Sequence, residues 1–532
     1  MYTPCRGDPT ASGVISFFNL IDQSVSSLTL EPGAAAAAYN QLTNTAYVVN
    51  TNNSTLSVID PSTPKRLPSA STTFPTGVSP VAVAVDPPSN RLVVVNQGAN
   101  TVSVYSLGSS STVRPMAITE TNPKIFFANS TLTSPPSPSA ITLTVIGSGF
   151  TCTSGTTTLK IRLDGVQLPA SCNTADKNRV LTATVTSLTA AHRYALDVFD
   201  PATSIVTNAS DFTVEQQIDV RGCSATPFPA GVSVDPQQNI AAVTLAGCNA
   251  VALINLSNGT GQAALVGSNP LGVAVIPRLH LAVVANNGSN SASVVDELSG
   301  TVTLSPSTDS GSVGVATDQD TGEAAVANSV ANTATVVNVT GGGTTSISTG
   351  ARPIAVGFDY LSHQIAVAAT SSNAIDIANA SGGTVSQTFS VSVPTSVVYD
   401  PVTGDLGNDC GSVTNVVGCF LVNSSTGNNL SVIDPTNGQQ SAFRIGINPT
   451  ALAYNYLTST LISTNTLSHT VTVVDFLDKR IRAVLTLPPA PANSTLALTG
   501  ALQFAVDIQP LTNLAVIADT ANGRVLLIPV PR

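Results

Sequence analysis

The chain has 532 residues, a formal net charge of −10 and charged residues at only 9% of its positions, against about a quarter in an average globular protein. Its 20 Lys and Arg form no basic cluster, which excludes binding to nucleic-acid phosphates. No uncharged apolar run approaches the roughly 18 residues that cross a bilayer, so we predict no membrane span.

Residues 1–12 are predicted to form a loose terminal arm. They lack the basic start and the apolar stretch of a signal peptide. The arm contains Arg6-Gly7-Asp8, which spells a cell-adhesion tripeptide, but three residues recur easily by chance. We interpret the arm as unstructured, with a secretion signal that was removed or that precedes a misplaced start.

Seven cysteines indicate an oxidising compartment and hence an extracellular or cell-surface protein. Six of them form three pairs that are close in sequence, and none has the CxxC spacing of a zinc site. The predicted disulfides are Cys152 with Cys172, Cys223 with Cys248, and Cys410 with Cys419. Cys5 is left over, either as a terminal thiol or as an intermolecular link.

Residues 13–30 read as two strands, and a repeat follows them. Its pattern is clearest in AYVVNTNNSTLSVID at 46–60, where two apolar runs flank a polar turn, as in a β-hairpin. Each unit adds a first strand of small apolar residues and a weaker fourth strand rich in Thr and Ser. Nine units begin near residues 34, 80, 231, 270, 312, 353, 394, 449 and 501.

The spacing of the repeat predicts a β-propeller. Asp318, Asp359 and Asp400 end successive first strands and are 41 residues apart, which is the length of one four-stranded blade. Small residues suit strands that crowd a central axis. We therefore predict an all-β fold with a single propeller of about nine units, or eight blades, over 13–111 and 218–532. The N-terminal strands are expected to complete the C-terminal unit and so close the ring.

Four stretches resemble YVTN-type β-propeller repeats, namely AYVVNTNNSTLSVID (46–60), RLVVVNQGANTVSVYSL (91–107), FLVNSSTGNNLSVIDP (420–435) and LISTNTLSHTVTVVD (461–475). The resemblance covers roughly four-fifths of the chain. It implies a relative of secreted and surface-layer proteins of bacteria and archaea, a family that also has a lactonase-like branch.

The segment 112–217 interrupts the repeat. Short alternating strands with Gly turns predict a small β-sandwich there. The segment resembles an IPT/TIG immunoglobulin-like domain. The residues that carry this resemblance are Gly147, Gly149, Phe150, Gly165 and the closing Phe212-Thr213-Val214. Such a module is expected to project from the propeller as a spacer or a contact arm.

No catalytic, cofactor-binding or metal-binding residue is predicted. The four histidines are scattered, and acid–base or metal chemistry needs side chains that converge. His192 lies in the insert, and His280, His363 and His469 are interpreted as solvated turn groups. Residues 318–323 (DQDTGE) resemble a calcium loop but lack its further ligands, so we interpret them as a plain hairpin turn.

The remaining polar motifs are interpreted as structural. Gly341–Gly343 lacks the Lys and helix of a phosphate loop. An Asn recurs at the end of the second strand, where its amide is expected to bond the turn backbone; examples are Asn50, Asn96, Asn423 and Asn465. Glycosylation sequons begin at Asn53, Asn129, Asn258, Asn338 and Asn493.

These features favour a non-enzymatic structural or adhesive protein that self-assembles into a homo-oligomer, surface layer or filament. Low charge reduces repulsion between copies. Two alternatives stay open: a lactonase-like hydrolase, which would need convergent acid–base groups in the channel, and a module that binds cell-surface glycans or proteins. The absence of Trp weakens the glycan hypothesis, because sugars stack on aromatic rings.

Overall fold

The computed structural model describes residues 2–5, 13–18, 25–40, 45–60, 65–66, 73–86, 91–106, 116–136, 140–148, 150, 156–172, 179–202, 205–207, 210–221, 223, 226–401, 418–436, 438, 440–487 and 504–531. In these ranges the chain consists of β-strands with three short 3-10 turns, which confirms the all-β prediction. No helix among the described residues has the length and hydrophobicity that a bilayer crossing requires.

The chain divides into two compact units. Unit 1 comprises Met1–Lys124, Ala140–Val185 and Tyr194–Phe212. Unit 2 comprises Ile125–Ser139, Thr186–Arg193 and Thr213–Arg532. Two of the nine sequence repeats therefore belong to unit 1 and seven to unit 2.

The N-terminal part of unit 1 contains three antiparallel sheets, of strand order β1-β2-β3, β4-β5-β6-β7 with β8 also on β6, and β11-β10-β9. Their strands are β1 Tyr2–Cys5, β2 Gly13–Phe18, β3 Val25–Leu30, β4 Ala34–Asn40, β5 Thr45–Asn50, β6 Thr55–Asp60, β7 Lys65–Arg66, β8 Thr73–Pro75, β9 Pro80–Asp86, β10 Arg91–Asn96 and β11 Thr101–Ser106. The predicted loose arm thus contains a strand, β1, which pairs with β2. Arg6-Gly7-Asp8 lies outside the described residues.

The interrupting segment forms further strands in the order β12-β14-β17-β16-β15-β18. They are β12 Ala117–Asn122, β13 Ile125–Thr131, β14 Ile141–Ser148, β15 Thr156–Leu163, β16 Val166–Cys172, β17 Val180–Val185, β18 His192–Asp200, β19 Ile205–Val206 and β20 Ser210–Asp219. Alternate residues are buried, such as Leu143 and Val145 on β14, and Leu196 and Val198 on β18. These two strands therefore each have one core face and one outer face.

Unit 2 contains six four-stranded antiparallel sheets in which successive strands pair in chain order. Their strands are β21 Pro229–Asp235, β22 Ile240–Leu245, β23 Ala250–Asn255, β24 Gly261–Leu265; β25 Pro270–Ile276, β26 Leu281–Asn286, β27 Ser291–Asp296, β28 Val302–Leu304; β29 Ser312–Asp318, β30 Glu323–Asn328, β31 Thr333–Asn338, β32 Thr344–Ser348; β33 Pro353–Asp359, β34 Gln364–Ala369, β35 Ala374–Asn379, β36 Val385–Ser390; β37 Pro394–Asp400, β38 Cys419–Ser424, β39 Asn429–Ile433, β40 Gln440–Arg444; and β41 Pro449–Asn455, β42 Thr460–Asn465, β43 Thr470–Asp475, β44 Arg480–Thr486.

The last repeat of unit 2 is completed by a strand from elsewhere in the chain. Its own strands are β45 Phe504–Gln509, β46 Leu514–Asp519 and β47 Arg524–Pro529. The strand β20 pairs with β47, and β13 pairs in parallel with β20. The prediction that residues 13–30 complete this sheet is wrong, because those residues pair among themselves in the sheet β1-β2-β3. The last strand of the interrupting segment, β20, takes the position instead.

The first strands of the seven sheets of unit 2 contact one another in succession, from β21 to β45. The succession returns on itself, because β21 also contacts β45. The cycle therefore holds seven repeats, where the sequence predicted a single ring of nine or eight. The first two repeats pack in unit 1 and are not needed to complete the cycle.

Three glycines show how closely these first strands approach. A Cβ atom on Gly231 would lie 2.4 Å from the carbonyl oxygen of Leu271 in the next strand, and one on Gly272 would lie 2.2 Å from that of Val313. Gly314 has the same position one strand further on, and its Cβ would lie 2.6 Å from an oxygen of Ile354. Only glycine fits at such a distance.

The sheets of unit 2 are buried on both faces. On β26 and β27 the side chains of Ala282, Val283, Val284, Ala285 and Val294 are all fully buried. Neighbouring sheets share apolar clusters, so each sheet contributes its two faces to two different cores. This explains why the second and third strands of the repeat are apolar at consecutive positions instead of alternating.

One of the three predicted cysteine pairs lies wholly within the described residues. Cys223 and Cys248 form a disulfide with their Cα atoms 5.9 Å apart, as predicted. Cys172 and Cys419 are also disulfide-bonded. Their predicted partners, Cys152 and Cys410, lie outside the described residues, as does the side chain of Cys5.

Candidate functional site

The first strands of all seven sheets of unit 2 line a cavity of about 310 Å³. Most of the lining is small or apolar, because glycine, alanine and valine dominate these strands. Its polar groups are the side chains of Ser233, Thr317, Gln319, Tyr360, Thr395, Ser396, Tyr399 and Asp507. The cavity is the candidate functional site, since propeller-like repeats bring distant parts of the chain together there.

Asp507 contributes the cavity's carboxyl group. It lies on β45, and its carboxylate accepts hydrogen bonds from the backbone N–H groups of Val234, at 2.7 Å, and Ile508, at 2.8 Å. Burial raises the pKa of Asp507 to about 6, and the bonds from these N–H groups and from Ser233 oppose the increase. The side chain therefore joins the last sheet of the cycle to the first.

Two tyrosines line the same cavity. The rings of Tyr360 and Tyr399 meet edge to face with their centroids 5.4 Å apart. Burial raises the pKa of Tyr360 to about 12. Burial and a hydrogen bond to Asp359 raise the pKa of Tyr399 well above its usual range. Both hydroxyls therefore stay protonated and can donate hydrogen bonds, but they do not serve as bases at neutral pH.

Two histidines join neighbouring sheets and do not line the cavity. In the turn before β34, His363 Nδ1 lies 2.8 Å from Asp318 Oδ2, and its Nε2 lies 3.2 Å from Glu323 Oε2. In the turn before β26, His280 Nδ1 lies 3.5 Å from Asp235 Oδ2. Both histidines lie in turns, as predicted, but they are only partly exposed and each contacts a buried Asp of a neighbouring sheet. His192 begins β18, and His469 lies in the turn before β43.

A sequence signal for these pairs exists and was missed. His363 follows Asp318 by 45 residues, which is one repeat of 41 plus four, and His280 follows Asp235 by the same distance. The last residue of the first strand in one unit has an equivalent position in the next unit. The turn residue four positions after that equivalent is therefore expected to contact the first-strand Asp of the preceding unit. Both histidines have a left-handed backbone, with φ of 54° and 59°, which the tight turn requires.

The stretch that resembles a calcium loop forms a turn. The Oδ1 atom of Asp318 accepts hydrogen bonds from the N–H groups of Asp320 and Thr321, at 2.8 and 3.2 Å. Its other oxygen faces His363. Among the described residues, no three His, Cys, Asp or Glu side chains come together as a metal-ligand set. Both oxygens of the Asp318 carboxylate therefore already have partners within the protein.

A second carboxyl pair lies near His280. Glu297 is only 1% exposed, and burial and a hydrogen bond to Asp235 raise its pKa to about 9. Burial therefore favours the protonated, uncharged form of Glu297, and the neighbouring charge of Asp235 acts in the same direction. The pair links β21 to the turn after β27, so its role is to join two sheets.

The recurrent Asn at the end of the second strand has a structural role with a different partner from the one expected. Its amide N–H donates to the Ser or Thr hydroxyls five and seven residues later on the third strand, and not to the turn backbone. The bonds run from Asn50 to Thr55 and Ser57, from Asn96 to Thr101 and Ser103, from Asn286 to Ser291 and Ser293, and from Asn465 to Thr470 and Thr472. Asn423 instead bonds Ala451 and Ser463 of the next sheet.

A polar cleft of about 640 Å³ lies where β13 joins β20 in unit 2. Two guanidinium groups border it, and both are anchored. Arg524 donates to Asp519 at 2.9 Å and to Gln217 at 2.7 Å, while Arg221 pairs with Asp219 at 2.6 Å. The complete lining is Asn129, Ser130, Thr131, Ser134, Pro135, Gln217, Asp219, Arg221, Asn522 and Arg524.

Comparison with known proteins identifies no family for this chain. No family model and no curated protein matches the chain. Many solved structures match, among them Kuenenia stuttgartiensis hydrazine synthase, which is 16% identical with a TM-score of 0.47. That match covers 58% of this chain and 97% of the other. At this identity and TM-score, the likeness carries no argument about this chain.

Proposed function

We propose that this chain is a non-enzymatic extracellular protein that self-associates at a cell surface, and that the seven sheets of unit 2 form a closed propeller. The cyclic contacts of the first strands support the closure, as do polar links between the last sheet and the first. Besides Asp507, these links include Gln509 with Asn239, at 2.9 Å, and Thr520 with the carbonyl of Pro229, at 2.6 Å.

The observation that carries the non-enzymatic proposal is the lining of the cavity. Among its described residues Asp507 is the only carboxyl, and backbone N–H groups already bind it. General acid–base hydrolysis usually needs a second titratable group within hydrogen-bond reach. His280 and His363 are engaged with carboxylates between sheets.

The family assignments belong to the same proposal. We take the repeats to be of the YVTN type and the segment 112–217 to be an IPT/TIG immunoglobulin-like module. The alternating burial on β14 and β18 supports a two-faced sandwich. Surface-layer proteins assemble from many copies, and the low charge of this chain lowers the repulsion that would oppose such packing.

The proposal is tested on the full chain by multi-angle light scattering over a wide concentration range, with electron microscopy of the same samples. Self-association that increases with concentration and gives ordered particles, sheets or filaments is the expected result. A monodisperse monomer at all concentrations would overturn it. Lactone hydrolysis that disappears in Asp507→Asn, with the fold intact, would establish the hydrolase alternative.

The polar cleft supports a second candidate function, the binding of a polar ligand such as a surface glycan. Amide, hydroxyl and guanidinium groups line it, and these are the groups that recognise hydroxyls and carboxylates. Binding on a glycan array that is lost in Arg221→Ala would support this function. Arg444→Ala, on β40 and outside the cleft, is the matched control.

A further inference from the structure

The sheet β9-β10-β11 of unit 1 repeats the pattern of the sheets in unit 2, but among the described residues one of its faces is exposed. The register pairs Val93 with Ala84 and Val104, and Val95 with Ala82 and Val102, so these six side chains share one face. We call it the open face. Val95 is 42% exposed, and Val102 and Val104 are each 60% exposed.

The corresponding residues of unit 2 are fully buried. The terminal Asn of the second strand aligns β10 with β26, so that Val93 and Val95 correspond to Val283 and Ala285. Both of the latter are 0% exposed, as are Ala292 and Val294, which correspond to Val102 and Val104. Each sheet of unit 2 packs on the next at this face.

The opposite face of the sheet β9-β10-β11 is covered within unit 1. Leu92 and Val94 pack with Tyr47, Val49 and Leu56 of the preceding sheet. Among the described residues, the open face is thus the end of a stack in which neighbouring sheets of unit 1 cover one another at two interfaces. The shape and chemistry of the face are those of a buried blade surface.

We propose that the open face binds a second copy of this chain through that copy's own open face, an inference that rests on the proposed self-association. All six side chains are apolar, so two such faces meet without like-charge repulsion. A contact between identical faces has two-fold symmetry and is self-complementary.

The side-chain sizes on the open face select one two-fold arrangement. The first strand, β9, presents Ala82 and Ala84, whereas the third strand, β11, presents Val102 and Val104. A two-fold axis parallel to β10 sets β9 of one copy opposite β11 of the other. Small residues then face large ones, which keeps the two sheets evenly spaced. The second strand, β10, faces itself, so Val95 lies opposite Val95 of the other copy.

The test is analytical ultracentrifugation of the full chain carrying Val95→Asp together with Val102→Asp. Like charges would then meet across the contact, and we expect the dissociation constant of the contact to increase at least tenfold. The matched control is Val166→Asp together with Leu265→Asp, because these residues are 65% and 78% exposed elsewhere on the chain. The control is expected to associate like the unmodified chain.

The outcomes separate this inference from the function on which it rests. If the unmodified chain associates and both double variants associate equally well, the open face is not the contact, and the self-association proposal stands. If the unmodified chain stays monomeric, the proposed function fails and this inference fails with it. Protection of β11 from hydrogen exchange in a monomer would mean that another segment of the chain covers the face, which also overturns the inference.

The symmetry is tested by cross-linking. Val95→Cys in a Cys5→Ser background is treated with a short bis-maleimide, and a covalent dimer is expected because the two cysteines lie opposite each other. Val166→Cys in the same background is the control and should stay monomeric on a denaturing gel. Association without a Val95→Cys cross-link would overturn the two-fold arrangement.

Discussion

The sheet β25-β28 of unit 2 and the sheet β9-β11 of unit 1 are built from the same repeat, yet they differ in what covers them. Both have a second strand that ends in Asn and the same hydrogen bonds to the third strand. In unit 2 the sheet is buried on both faces, whereas the sheet of unit 1 keeps the open face exposed. The repeat sequence therefore determines the strands and hydrogen bonds within a sheet. The neighbouring sheets determine how much each residue contributes to stability.

The comparison predicts its largest effect at the first strand. Gly272 and Ala82 are both four residues before the last residue of their first strand. A Cβ on Gly272 would lie 2.2 Å from the carbonyl of Val313, whereas Ala82 is exposed. Gly272→Val should destabilise unit 2 by about 3 kcal/mol or more, because a backbone atom must move. Ala82→Val should change stability by less than about 0.5 kcal/mol.

Hydrogen exchange read by mass spectrometry measures both variants, because it follows each unit separately. Faster exchange of β25 and β29 in Gly272→Val is the expected result, with unchanged exchange in Ala82→Val. Equal tolerance of valine at both positions would mean that the first strands of unit 2 are not closely packed.

A smaller difference is expected at the third strand. Val294 is fully buried between two sheets, and its equivalent Val104 is 60% exposed. Val294→Ala should cost about 2 kcal/mol, from lost burial and the cavity left behind. Val104→Ala should cost less than about 0.5 kcal/mol in the monomer. Urea unfolding, followed by hydrogen exchange of the two strands, gives the ratio of the stability losses in the two variants. Similar losses at both sites would show that the open face is covered.

The sequence predicts the local features of this fold and not the partition of its repeats. Strand bounds, hairpin turns and the Cys223–Cys248 pair follow from residue patterns that act over a few residues. The division of the nine repeats into seven in unit 2 and two in unit 1 does not follow from such patterns, because the strands at both ends of the insert have the same apolar pattern. That β20 completes the last sheet, in place of the strands at 13–30, depends on long-range packing that pattern alone leaves undetermined.

The candidate site was predictable only in part. Small residues in the first strands indicate a crowded axis, and they do line the cavity. Asp507 was not singled out, because one Asp within an apolar strand carries no motif. The histidine links were not predicted because each joins side chains a repeat apart, whereas ligand pairs are recognised in a sequence by close spacing within a turn.

Unit 2 is expected to lose stability as the pH rises. Glu297 has a pKa of about 9 in the folded chain, against about 4.5 when exposed, so the folded state holds a proton that the unfolded state releases between these values. Its contribution is complete below about pH 4.5 and is lost as the pH rises through 9. Asp507 acts in the same direction between 3.8 and about 6.

Scanning calorimetry at pH 5 and pH 8.5 measures the effect. Glu297→Gln should remove most of the pH dependence between these two values, because the amide keeps a donor and does not ionise. The sheet β9-β11 has no buried carboxyl among its described side chains and should show no matching change. If the unfolding transition of unit 2 is equally pH-dependent in Glu297→Gln, the pH dependence of stability arises from other groups.

The smallest difference is expected where the two sheets share the same bonds. Asn286 bonds Ser293 at 2.9 Å, and Asn96 bonds Ser103 at 2.8 Å, both with the amide buried. These bonds lie within one sheet, so a neighbouring sheet should not alter their strength. Asn286→Ala and Asn96→Ala should each cost about 1 to 2 kcal/mol, since each removes a buried amide and its hydrogen bonds to the third strand. Exchange of β27 and β11 measures the two losses, and a loss confined to unit 2 would show that the Asn bond depends on its neighbours after all.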